Sequence, residues 1–220
     1  MKKQKLAAIK LCAVLVAVYT LQLLTGFQPG FEAGRSAWWK FFTSFFGHSD
    51  IEHLTNNLFF IGLFGTIYSL VTSTKKFWTT FLISAIGANL TAFIFYPDSV
   101  IIGASGGAMG LLSALTVYKP RQTGLALGVP APMYVVLGIY ILINSAGLTG
   151  QSQVAYEAHL FGLLTGAAIG LRLRKNSSKP SDQPKSRKLG NTSTEDGPEE
   201  DAGEDLDERI RKWEEKYMLD

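Results

Sequence analysis

The sequence predicts an all-α fold in which six helices cross a bilayer and a polar tail follows. Three observations carry this. Up to about Leu173 the 220-residue chain is almost entirely apolar, and it divides into runs approaching the roughly 20 residues needed to cross a membrane. Lys and Arg concentrate in alternate gaps between those runs, with only Arg35 and Lys40, in the long first loop, on the opposite side. Beyond Leu173 the composition turns abruptly polar and charged, a division hidden in the chain-wide figure of 47% hydrophobic residues.

The first run, roughly 6–25, follows Lys2, Lys3 and Lys5. It has the charged start of a secretory signal. It is long, however, and no small-x-small cleavage site follows it, so it reads as a retained first span. From Phe27 to Glu52 the chain mixes Trp38, Trp39 and many Phe residues with Lys40, His48 and Asp50. Such a segment suits the membrane interface, where aromatic rings gather. Further spans are expected at about 53–72, 77–96, 102–118, 124–145 and 156–173.

The basic residues Lys75, Lys76, Lys119, Arg121, Arg172, Arg174 and Lys175 share one set of ends with the N-terminus. The positive-inside rule then makes both termini cytosolic and the protein a multi-pass protein of the cell membrane. The second, fourth and sixth spans run inward. Residues 176–204 have the composition of a disordered linker. Residues 205–220 place Leu206, Ile210, Trp213 and Tyr217 at helical spacing. That stripe suits a short solvated amphipathic helix, and it could also dock a cytosolic partner or the bilayer.

Cys12 is the sole cysteine, so no intramolecular disulfide can form, and no cluster shows zinc-ligand spacing. Neither a metal, another cofactor nor nucleic acid is called for. A small-solute transporter fits poorly, since nothing resembles paired discontinuous helices or charged midplane residues.

The stretch Ile101 to Gly110 sets Ser105 among Gly103, Gly106, Gly107 and Gly110 at the start of the fourth span. Small residues four apart suit close helix packing, and on this segment alone packing is the preferred reading. The histidines shift the balance. Ser105, His159 and His53 each lie a few residues inside the outer end of a span, at one common depth. Ionisable residues inside spans are costly and usually functional. Gly162, Gly166 and Gly170 repeat along nearly the stripe of His159, and Gly106, Gly110 and Ser113 lie beside Ser105. Two such stripes can pack closely enough to set the imidazole within reach of Ser105 Oγ. A histidine there can take the hydroxyl proton and return it to a leaving amine. His53 and Asn57, four apart on one helix face, could stabilise an oxyanion. Each polar residue could equally serve as a hydrogen-bonding link between helices. No acid lies within the second or sixth span, and Glu52 and Glu157 read as solvated edges. The expectation is a Ser–His dyad whose imidazole is oriented by packing or water.

These residues resemble the rhomboid intramembrane serine proteases. Gly103-Ala104-Ser105-Gly106 is similar to their G-x-S-G motif, and Ala158-His159 with Gly162 and Gly166 to A-H-x-x-G-x-x-x-G. His48, His53 and Asn57 fit H-x-x-x-x-H-x-x-x-N, and Trp39-Lys40 resembles a Trp-Arg pair. The resemblance covers about 1–175. It implies Ser105 as nucleophile and His159 as general base. It implies an oxyanion hole from His53, Asn57 and the Ser105 backbone N–H, with Gly103 shaping the loop and His48 supporting. Two positions depart from the family pattern. Met109 stands where an aromatic often packs on the catalytic histidine, and Ser69 where a glutamate is often found. The function expected is a serine endopeptidase that cuts single-span membrane proteins in or near the bilayer. The rival is an inactive relative that binds or moves membrane clients.

Overall fold

The computed structural model describes residues 6–148 and 155–177. The chain divides into two units, Met1–Pro180 and Ser181–Asp220. The expectations for the tail from residue 178 onward lie outside the described residues.

The first unit is helical. Helix α1 (Leu6–Thr25) is followed by a loop carrying the short helix α2 (Lys40–Thr43) and a 3₁₀ turn, Ser44–Phe46. Helix α3 (Ile51–Phe60) runs through a π-helical stretch, Ile61–Gly65, into α4 (Thr66–Val71). Helices α5 (Thr74–Phe95) and α6 (Ser105–Tyr118) follow. A hairpin of β1 (Thr123–Ala126) and β2 (Val129–Pro132) leads to α7 (Met133–Gly147), and α8 (Tyr156–Ser177) closes the bundle. Helix α1, the continuous run Ile51–Val71, and α5 are each long and apolar enough to cross a membrane.

The burial pattern is that of a bundle with an apolar exterior. On α1 only Ala7, Ala8, Leu11 and Leu15 are buried, a stripe along one face, while Leu23 and Leu24 stay more than two-thirds exposed. Helix α6 is the opposite: every residue from Gly106 to Thr116 is buried. It is the central helix, and α3, α5, α7 and α8 all pack against it. Where the surroundings are apolar, burial of apolar side chains drives association weakly, and close contact has to hold the helices. Helices α6 and α8 show such contact. A Cβ built at Gly162 would overlap the Gly106 carbonyl, and one at Gly166 would overlap the Gly110 carbonyl and Ser113 Oγ. Only glycine lets these two backbones meet.

Helix starts are set by local chemistry. Asp50 caps α3, its Oδ1 accepting from the His53 N–H at 2.7 Å. Ser73 caps α5, its Oγ accepting from the Lys76 N–H at 3.2 Å. Such caps satisfy N–H groups that have no partner within the helix.

The expected fifth span, 124–145, needs correction. Its first residues form the hairpin, and the helix begins only at Met133. Pro130 and Pro132 cannot sit in a helix interior, and Leu127 and Gly128 both take positive φ (50° and 87°), making a two-residue turn. The fourth helix also starts later than expected, at Ser105 itself.

Candidate active site

The site is assembled at the N-terminal ends of α3, α6 and α8. Ser105 is the first residue of α6 and His159 the fourth of α8. The glycine-mediated contact of these helices sets Ser105 Oγ 2.8 Å from His159 Nε2. The first turn of α6 leaves backbone N–H groups without partners inside the helix, and the dipole puts its positive end there. A hydroxyl, an imidazole and free N–H donors thus occupy one spot. A Ser105 O–H donating to Nε2 has an imidazole positioned to take its proton.

The other ring nitrogen, Nδ1, lies 2.9 Å from Asn144 Oδ1 on α7. The Tyr156 ring meets the imidazole edge-on, with centroids 6.2 Å apart. Besides the packing of Tyr156, a side-chain amide holds the imidazole, a contact absent from the sequence expectation. Asn144 escaped sequence reasoning because it sits alone in an apolar run on a different helix. Its polarity in such a run was the signal available. Tyr156 thus supplies an aromatic contact to the imidazole, and Met109, which departs from the family pattern, is buried. Ser69 is buried with its Oγ donating to Thr66 O at 2.9 Å. Glu157, expected to be solvated, accepts a hydrogen bond from Tyr96 Oη.

Gly103 has φ +123°, a conformation L side chains rarely adopt. A Cβ there would also lie 2.6 Å from His53 Cε1, so the loop before Ser105 rests directly on the His53 ring. That loop is held from the other side as well. The Gly103 N–H donates to Ser44 O at 2.9 Å, and Phe31 and Ile101 exchange backbone hydrogen bonds at 2.9 and 2.8 Å. Asn89 Nδ2 in turn donates to Ser44 Oγ and Phe41 O. The aromatic interfacial segment is thus a clamp on the loop that presents the serine. Lys40 Nζ donates within that segment to Gln28 O.

His53 Nδ1 lies 3.1 Å from Ser49 Oγ, and Asn57 Nδ2 donates to His53 O at 2.9 Å. Among the described residues no hydrogen bond runs from either side chain to Ser105. Asn57 keeps a second amide hydrogen free for another acceptor.

His48 is fully buried, its backbone fixed by paired bonds with the Gln22 amide. Among the described residues neither ring nitrogen has a hydrogen-bond partner, and the ring meets His53 edge-on at 5.0 Å. Burial, with His53 adding to it and the Phe46 backbone and Asp50 opposing, pulls His48 down from 6.5 to about 4. Below pH 6.5 the unfolded chain takes up a proton that the folded chain refuses, so stability falls as pH drops from 6.5 toward 4. The melting temperature in detergent should decline across that window, and His48→Phe should flatten the decline. An unchanged slope in that variant would assign the acid sensitivity elsewhere.

The comparisons with known proteins bear on the same residues. The Rhomboid domain family matches residues 35–176. Rhomboid-like protein 11, chloroplastic, from Arabidopsis thaliana is 30% identical over 162 residues, 67% of this chain and 56% of the relative. Rhomboid-like protease 3 of Toxoplasma gondii is 29% identical, over 68% of this chain and 57% of the relative. Rhomboid protease GluP of Bacillus subtilis is 28% identical, over 62% of this chain and 27% of the relative. The chain thus spans about half the length of the first two and less of the third. The matched region holds Ser105, His159, His53 and Asn57, and with a family match over more than half of its length the chain belongs to the rhomboid family.

Proposed function

We propose that this chain is an intramembrane serine endopeptidase working through a Ser105–His159 dyad. The observation that carries the reading is the 2.8 Å approach of Ser105 Oγ to His159 Nε2 at the N-terminus of α6. In the proposed reaction Ser105 Oγ attacks a peptide carbonyl while its proton passes to Nε2. The proton then goes to the leaving amine, giving an acyl-enzyme that water hydrolyses with His159 again as base. The oxyanion turns toward the Ser105 N–H, with Asn57 and His53 as further donors. For His53 to donate through Nε2, the Ser49 hydroxyl swings to donate to Nδ1. Gly103 keeps the loop close to His53, His48 supports that ring, and Gly106, Gly162 and Gly166 hold the two helices in contact. The inactive-relative reading is disfavoured because nucleophile and base are both present and in hydrogen-bond contact.

The bundle is read as six spans in the cell membrane, both termini cytosolic, with residues 1–175 as the protease domain. A 14-residue α6 measures about 21 Å, short of a hydrocarbon core of about 30 Å, so its first residue lies below the surface. Substrates are single-span membrane proteins whose outer helix ends unwind into the site, since helical carbonyls are otherwise hydrogen-bonded. The polar tail beyond the protease domain is the segment where a cytosolic partner would dock.

Fluorophosphonate labelling tests the chemistry: the wild-type protein should label and Ser105→Ala should not. Thiol accessibility tests the orientation. In a Cys12→Ala background, an impermeant reagent added to intact cells should label a cysteine at Asp98 and leave one at Lys76 untouched. The opposite pattern would place the site on the cytosolic side.

A further inference from the structure

We propose that Asn144 is a positioning residue that selects the tautomer of His159, an inference that rests on the dyad reading above. Helix α7 is otherwise mostly exposed; its buried residues are Met133, Val136 and Asn144. An amide buried at 3% exposure in an apolar helix is costly unless both of its ends are bonded. Both ends are. Nδ2 donates to Tyr140 O at 2.7 Å, and Oδ1 lies 2.9 Å from His159 Nδ1.

These two contacts leave one assignment of hydrogens. A backbone carbonyl can only accept, so the amide group facing Tyr140 O is the NH₂. The group facing His159 is then the carbonyl oxygen, which also only accepts. Nδ1 therefore carries the proton. In the neutral ring Nε2 then holds the lone pair, 2.8 Å from Ser105 Oγ. The opposite tautomer would aim an N–H at the serine oxygen and could not take its proton. The carbonyl of Tyr140, one turn earlier on α7, thus settles which nitrogen of His159 is basic. Gly147, at the end of the same helix, packs against the Tyr156 ring that meets the imidazole edge-on, so α7 braces His159 twice.

Asn144 does not touch Ser105, and it carries no charge to transfer. Its effect is on orientation and tautomer. A mere tether of α7 to α8 would use the same bonds, so the test must read the imidazole and the serine separately from the fold.

The experiment measures the fluorophosphonate labelling rate of the full chain in detergent. That reaction forms a Ser105 Oγ–phosphorus bond and expels fluoride, so it reports nucleophilicity without peptide binding. Asn144→Leu keeps the side-chain volume and removes the acceptor. Its labelling should fall roughly ten- to hundredfold, less than the roughly 10²–10⁴-fold that a general base contributes, because the base itself stays in place. Asn144→Asp keeps an oxygen facing Nδ1 in either protonation state and should retain most of the rate. The ¹⁵N spectrum of His159 should show an Nδ1–H ring in wild type and Asn144→Asp, and an Nε2–H population in Asn144→Leu. Wild-type labelling speed in Asn144→Leu would overturn the proposal. So would equal slowing of both variants with an unchanged His159 spectrum, which would make the amide a tether alone. A folded wild-type protein that the probe does not label would instead overturn the dyad reading itself.

Discussion

Alanine at either Ser105 or His159 should reduce peptide cleavage by about 10⁴-fold or more, with the bundle still folded. The size follows from the geometry. Ser105 Oγ and His159 Nε2 form one hydrogen-bonded unit at 2.8 Å, so losing either member removes the base-activated serine nucleophile. Without the hydroxyl there is nothing to acylate. Without the imidazole the hydroxyl is a poor nucleophile and the leaving amine departs unprotonated. The double variant should be no worse than the singles, because residues acting as a unit do not add. Purified variants assayed on a single-span substrate in proteoliposomes, with melting curves alongside, make the measurement. Turnover within tenfold of wild type in either folded variant would remove the dyad, and multiplicative losses would mean that the two residues act independently.

How much of this site could be read from the sequence depends on what kind of information each feature needs. The serine, the two histidines and the glycine stripes were legible because helical periodicity alone puts them on particular faces near particular ends. The meeting of α6 and α8 was legible too, since two small-residue stripes have few other ways to pack. Features that depend on contacts between distant segments were not. Asn144 looks like one polar residue in an apolar run, and only the register of α7 against α8 aims its carbonyl at Nδ1. The clamp of Phe31 and Ser44 on the loop before Ser105 uses backbone groups, which carry no residue signature. The hairpin at 123–132 was hidden by its apolar composition. Pro130 and Pro132 are the clue to it, set in a stretch whose hydropathy otherwise suits a span. Likewise the start of α6 at Ser105 reflects the positive φ of Gly103, which breaks the helix just ahead of it.

Gly166→Leu should cost more activity than stability, because it strikes the contact that sets the distance between Ser105 and His159. A Cβ at Gly166 meets the Gly110 carbonyl and Ser113 Oγ. The hydroxyl of Ser113 can rotate, but the Gly110 carbonyl belongs to a helix buried on all sides and cannot retreat. Helix α8 must therefore move outward from α6. Overpacking of this kind typically costs about 1–3 kcal/mol, which lowers the melting temperature without unfolding the protein. The site is less forgiving. His159 lies two turns from Gly166 on the same rigid helix, so a displacement of about 1 Å reaches the imidazole nearly undiminished, and a misplacement of that size can cost about 10²-fold in rate. Gly166→Ala, with a smaller intrusion, should fall between wild type and leucine on both scales. Gly138 is the control: it lies within α7, and a Cβ there would meet nothing within 4 Å. Gly138→Ala should leave labelling unchanged and raise the melting temperature slightly, as expected where alanine replaces glycine in an open helical position. Labelling rate and melting temperature read from one preparation separate the two effects. If Gly166→Leu labelled at the wild-type rate while melting lower, the α6–α8 contact would be holding the fold together without setting the geometry of the dyad.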